Sequence, residues 1–164
     1  MRLARTLAVG AFAGALLPLA TATPASAAFV REDTDTTTVT FAFAGTQRTC
    51  RLFGITGFEY PADGVEGEAR IRSRTYVADD VGCREPVFQV SLSGRYETAP
   101  DSGRFRTFFA TSGVGETPRP GGVSIDFTVP GPTGPVTVDH RVDIACDGPT
   151  DPSLCSYQLH TSPK

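Results

Sequence analysis

The chain has 164 residues, with 15 basic and 18 acidic side chains and a formal net charge of −3. This length suits one domain, and the near balance of charge excludes the strongly basic surface by which proteins bind nucleic acids. Hydrophobic residues make up 40% of the chain, which excludes a compositionally disordered polypeptide. Lys occurs once and Asn is absent, a bias that we interpret as the codon usage of a GC-rich bacterial genome.

The first 27 residues are predicted to be a secretory signal peptide. Arg2 and Arg5 give a basic start, residues 7–17 are apolar, and a stretch of small residues ends at Ala27, where we expect cleavage. An apolar run of this length is too short to cross a hydrocarbon core of roughly 30 Å, so no membrane anchor is expected. The mature chain, 28–164, is therefore predicted to be a single secreted domain and a monomer.

The mature chain alternates apolar and polar residues almost throughout. Residues 28–36 are polar and are predicted to be a disordered lead-in, whereas from residue 37 onward the period of two indicates strands. No part of the mature chain has the period of an amphipathic helix. The pattern predicts an all-β antiparallel sandwich, with an immunoglobulin-like architecture favoured and a barrel as the alternative. The predicted strands centre on residues 39–43, 50–55, 65–77, 88–96, 105–111, 123–129, 136–144 and 155–159.

Four cysteines in an exported chain predict two disulfides. Cys146 continues the inward-facing positions of the seventh strand, and Cys155 begins those of the eighth. A hairpin between these strands would bring the two sulfurs together, so we predict the pair Cys146–Cys155 and, by elimination, Cys50–Cys83. The two other pairings stay open at this stage. The cysteine spacing lacks the short repeats of a zinc site, so no metal is predicted.

His140 is the one residue of an inward-facing series that could carry chemistry. It lies between Val138 and Val142, and a small hydrolase could use it as a general base with Asp139 or Asp143 as its partner. Strand neighbours at odd spacing point to the opposite face, however, so neither carboxylate would orient it directly. The favoured interpretation is a hydrogen-bonded core histidine. The sequence therefore predicts no catalytic residue and no cofactor.

Three arginines, Arg70, Arg72 and Arg74, share the outward face of the third predicted strand. Such a stripe could contact an anion or a polysaccharide, and with His140 it is a candidate binding site. The alternative is a solvated face, because opposite charges on neighbouring strands stabilise a sheet. In that case the partners would be outward-facing acids on other strands, namely Asp126, Asp139 or Asp143.

These observations predict a secreted, non-enzymatic module that binds an unknown extracellular ligand or protein or has a structural role. Sugar-binding modules stack their ligands on exposed aromatic rings, but Trp is absent and most of the 11 Phe fit buried positions, so the sequence does not favour a glycan ligand. An extracellular protease inhibitor is the alternative, because a rigid loop at 147–153, clamped by Cys146 and Cys155, would lower the entropy cost of docking. Pro149 and Pro152 leave little room in that loop for a protease-binding segment.

Overall fold

The computed structural model describes residues 29–60, 67–84, 86, 88–112, 121–131, 133–149 and 153–163. The predicted signal peptide lies outside these residues. Eight strands and one short 3-10 turn, at Val81–Cys83, make up the regular structure of the described part. The strands are β1 (Phe29–Phe43), β2 (Thr46–Tyr60), β3 (Glu68–Val77), β4 (Phe88–Glu97), β5 (Phe105–Thr111), β6 (Gly122–Pro130), β7 (Val136–Cys146) and β8 (Ser153–Thr161).

The strands form two antiparallel sheets of four, packed face to face. The first sheet has the order β1-β2-β3-β6 and the second has the order β5-β4-β7-β8. The predicted sandwich is confirmed, and the sheets do not close into a barrel. The strand order differs from that of immunoglobulin domains, in which the second strand pairs with the fifth, because here β2 pairs with β3.

The predicted disordered lead-in is wrong for residues 29–36, which belong to β1. They pair with Phe53–Tyr60, the second half of a β2 that is much longer than predicted. The acidic residues of the segment also join the two sheets: Asp33 accepts the backbone N–H of Ser162 at 2.6 Å, and Asp35 accepts that of His160 at 2.9 Å. The polar composition of this segment thus reflects its place at a sheet edge.

The core consists of two apolar clusters separated by buried polar side chains. Along β2, for example, Leu52 belongs to the first cluster, Phe58 belongs to the second, and Thr56 lies between them. The same order holds along β3 and β7. We call the buried polar side chains between the two clusters the polar layer, and they are Thr56, Ser73, Thr75, His140 and Thr161.

Both predicted disulfides are confirmed. Cys50 pairs with Cys83 on the 3-10 turn, with Cα atoms 5.4 Å apart. Cys146 pairs with Cys155 across the β7–β8 hairpin, with Cα atoms 5.9 Å apart. Asp147, which directly follows Cys146, accepts hydrogen bonds from the backbone N–H groups of Ala44 and Gly45 at 2.9 and 2.8 Å. It thereby fixes the β1–β2 turn, whose two residues both have positive φ.

Candidate binding faces

His140 lies in the middle of the polar layer and is fully buried. Its Nδ1 is 2.7 Å from Thr75 Oγ1, and its Nε2 is 2.8 Å from Thr161 Oγ1. Thr161 continues the network to Thr56 at 2.6 Å. The ring also needs Gly54 opposite it, because a Cβ at that position would lie 2.5 Å from His140 Cδ2. The histidine is therefore held on both nitrogens and on one ring face.

Burial lowers the pKa of His140 to about 4, because the charged ring would lose its hydration between the sheets. The ring is therefore neutral at pH 7, and of its two hydroxyl partners one donates and the other accepts. The two carboxylates considered as its orienting partners bond elsewhere: Asp139 lies 2.8 Å from His160, and Asp143 bonds Arg141 at 2.9 Å. This geometry is that of a core histidine.

The arginine stripe lies on the outer face of the first sheet, as its alternation predicts. Arg70 and Asp126 form two hydrogen bonds of 2.6 Å, which lower the pKa of the Asp126 carboxyl. Arg72 lies 3.0 Å from Glu59 and 3.7 Å from Asp126. The predicted pairing with Asp126 is therefore correct.

The rest of the stripe differs from the prediction. Asp139 and Asp143 belong to the second sheet, and so pairing of the arginines with these two acids is wrong. Arg74 instead lies over the ring of Tyr76, with its guanidinium carbon 4.6 Å from the ring centroid. Among the described residues no carboxylate pairs with Arg74.

A shallow depression, which we call the trough, follows β4 along the outer face of the second sheet. Its floor is low because two outward-facing residues of β4, Ser91 and Ser93, have small side chains. The register places Phe109 on one side of Ser93 and Asp139 on the other. One strand further out, His160 stands beside Asp139. The trough thus has an aromatic wall on β5 and a polar wall on β7 and β8.

The aromatic wall comes from two adjacent phenylalanines in β5 that face opposite sides of the sheet. Phe108 turns inward, where a Cβ at Gly94 would collide with its ring, and makes an edge contact with Phe127 at 5.2 Å. Phe109 turns outward and is 64% exposed. Phe105 is 52% exposed on the same face, with the Arg95 guanidinium 5.2 Å from its ring centroid. Adjacent residues of a strand face opposite sides of its sheet. The Phe-Phe pair in β5 is therefore the sequence feature that indicates an exposed aromatic ring on this face.

The polar wall offers hydrogen-bonding groups that include acidic and basic side chains. Asp139 and His160 are bonded to each other, yet their side chains are 74% and 59% exposed. Arg141 is neutralised by Asp143 and also donates to Ser156 at 3.3 Å. Two clefts of about 710 and 650 Å³ meet at Ser93, Phe109 and Asp139, so the depression is continuous along β4. Such a shape accommodates an extended ligand better than a compact one.

The base of the loop proposed for a protease inhibitor is well anchored. Besides the disulfide, the backbone N–H of Asp147 donates to Ala42 at 2.8 Å. Residues 150–152 lie outside the described part of the chain, and so the loop's presentation to a protease stays a prediction.

Comparison with known proteins gives no relative: no family model, no curated protein and no solved structure matches the chain. In the part of the chain that the structure describes, no three His, Cys, Asp or Glu side chains come together as a metal site. The same part contains no helix long and apolar enough to cross a membrane.

Proposed function

We propose that the protein is an exported binding module that holds a neutral glycan chain along the trough. The observation that carries the proposal is Phe109, a phenylalanine ring exposed at the edge of a polar depression. Removing such a ring from water favours binding of a partner that offers an apolar face. A pyranose ring offers that face through its C–H groups and offers hydroxyls at its rim.

The polar wall suits those hydroxyls. Carboxylate and imidazole groups of Asp139 and His160, the guanidinium of Arg141 and the hydroxyls of Ser91 and Ser93 can each donate to or accept from a sugar hydroxyl. Two guanidinium groups, Arg95 and Arg141, and two carboxylates, Asp139 and Asp143, line the trough, so neither sign of charge predominates and a strongly charged polymer gains little there. The balance of charge therefore favours a neutral glycan.

Export is proposed on the grounds of the disulfides and the amino-terminal sequence. Both cysteine pairs are joined, a state that persists in oxidising compartments. Binding without catalysis is proposed because His140, which the sequence offered as a general base, is buried between the sheets. A glycan that lies in the trough is separated from His140 by the backbone of β7.

Affinity electrophoresis tests this function. Gels that contain hydroxyethylcellulose, laminarin, xylan, glucomannan or dextran should include at least one that retards the protein. Phe109→Ala should remove the retardation, whereas Val81→Ala, which shortens an apolar side chain that is 74% exposed outside the trough, should leave it unchanged. No retardation in any of the five gels, or retardation that survives Phe109→Ala, would contradict the proposal.

A protease inhibitor is the second candidate, favoured by the disulfide and the Asp147 hydrogen bonds that fix the loop's base. A rigid base reduces the ordering cost of docking. Subtilisin-like and trypsin-like enzymes, each assayed with excess protein, decide it. Inhibition that disappears in Asp147→Ala would support this candidate, and full protease activity would exclude it for these two classes.

A further inference from the structure

The outer face of the first sheet carries a second cavity, on the side of the molecule opposite the trough. It encloses about 370 Å³, and its floor is the backbone of Gly57 in the middle of β2. A Cβ at Gly57 would meet no atom closer than the Arg31 carbonyl oxygen at 4.0 Å. The space above this glycine is therefore open, and the neighbouring strands form the cavity walls.

Some of the charged side chains around the cavity form ion pairs, and others do not. Of the five charged side chains that line it, Glu59, Arg72 and Asp126 are engaged in the ion pairs of the arginine stripe. The other two are Glu32 on β1 and Arg74 on β3. Within the described residues, neither has a partner of opposite charge. Glu32 lies directly beside Gly57 in the register, and Arg74 lies beside Ile55, two residues along the same strand.

One negative and one positive group thus flank an open stretch of backbone from opposite sides. Glu32 and Arg74 belong to strands that are separated only by β2, so their backbones are about 10 Å apart across the sheet. A simple anion would be attracted by Arg74 but repelled by the Glu32 carboxylate. A simple cation would be attracted by Glu32 but repelled by Arg74. A ligand with an ammonium at one end and a carboxylate at the other neutralises both groups.

We propose that this cavity binds a small zwitterion of the amino-carboxylate class, with its ammonium at Glu32, its carboxylate at Arg74 and its chain over Gly57. The guanidinium of Arg74 is held against Tyr76, which limits the freedom it must lose on binding. Since both charges are solvent-exposed, we expect weak binding, with a dissociation constant on the order of tens of millimolar that rises with salt. The site is independent of the trough and of the glycan proposal.

Backbone amide NMR shifts measure this binding. Probes are the ω-amino carboxylates from glycine to 6-aminohexanoate, with butanoate and butylammonium as single-charge controls. Saturable shifts at Gly57 and Ser124 should peak at one chain length, because the two protein charges have a fixed separation. Glu32→Gln and Arg74→Gln should each weaken binding at least fivefold. Their matched controls, Glu68→Gln and Arg51→Gln, change an acid and an arginine of the same face outside the cavity.

A steric variant keeps the test independent of charge. Gly57→Val adds a side chain where the floor is open, so the variant should have a thermal midpoint at least as high as that of the wild type and should lose the zwitterion. The proposal is overturned if butanoate or butylammonium shifts the same amides with equal affinity, which would indicate a simple ion contact. It is also overturned if Gly57→Val or the charge variants bind like the wild type, or if no probe shifts these amides at tens of millimolar.

Discussion

Acid should weaken the fold through His140. The ring is neutral and fully buried, with a pKa lowered to about 4 against 6.5 for an unperturbed histidine. Between these two values the unfolded chain binds a proton that the folded chain does not bind. Stability therefore falls as pH falls from 6.5 toward 4, and integrating this linkage gives a loss of about 3 kcal/mol between pH 7 and pH 4.

Chemical denaturation followed by circular dichroism, repeated across this pH range, measures the effect. The matched variant is His140→Gln, whose amide can both donate and accept within the polar layer but does not titrate. It should be less stable than the wild type at pH 7, by about 1–3 kcal/mol, and should lack the wild type's decline toward pH 4. His160→Gln removes the other histidine of the chain, which is exposed, and should keep that decline.

The free energy of unfolding of His140→Gln, subtracted from that of the wild type at each pH, removes the contribution of every other titrating group. Asp80 and Asp126 are among these groups, and ion pairs with Arg51 and Arg70 hold their pKa values below 3.8. Their stabilisation is lost only as pH falls below that value. The reasoning is refuted if the wild type is equally stable at pH 7 and pH 4.5, or if His140→Gln declines as steeply as the wild type.

Two further predictions concern the disulfide and two glycines of β2. Replacing Cys146 and Cys155 together by Ala should lower stability by about 2–3 kcal/mol, because a short closed loop is released in the unfolded chain, and the circular dichroism spectrum should keep its β character. A variant with no measurable loss, or one that fails to fold, would contradict a local structural role for this bridge. Gly54→Ala should destabilise by about 1–3 kcal/mol, since its Cβ would collide with the His140 ring, whereas Gly57→Ala should stabilise by about 0.5 kcal/mol in thermal or chemical denaturation. Equal effects of the two substitutions would contradict the placement of the histidine.

The features predicted correctly depend on local pattern. Alternation of apolar and polar residues gave the facing of β3 and β6, and it placed His140 inside. Parity also led to the Cys146–Cys155 pair, because both cysteines extend inward-facing series in adjacent strands. The prediction failed where residues untypical of strands belong to one. Residues 29–36 of β1 are polar and β2 contains Gly54 and Gly57, so both β1 and β2 were predicted too short.

The candidate sites depend on strand order, which the sequence does not reveal. The trough exists because β4 lies between β5 and β7, and this brings Phe109 across from Asp139. The partners of His140 lie 65 and 21 residues away in sequence, on β3 and β8. The arginine stripe was recognised, but its acids could be assigned only once β6 was known to flank β3. The role of a side chain thus depends on neighbouring strands that are distant in sequence.

The central claim is that the trough holds a neutral glycan against Phe109. An NMR titration with cellohexaose, laminarihexaose, xylohexaose, mannohexaose and isomaltohexaose, one of which should bind, tests it most directly through the ring protons of Phe109 and the backbone amides. Binding in the trough predicts saturable shifts of the Phe109 ring and of the amides at Ser91, Ser93 and Asp139, with the amides of β1 and β3 unchanged. Shifts centred on the first sheet, or no shifts with any of the five sugars, would contradict it.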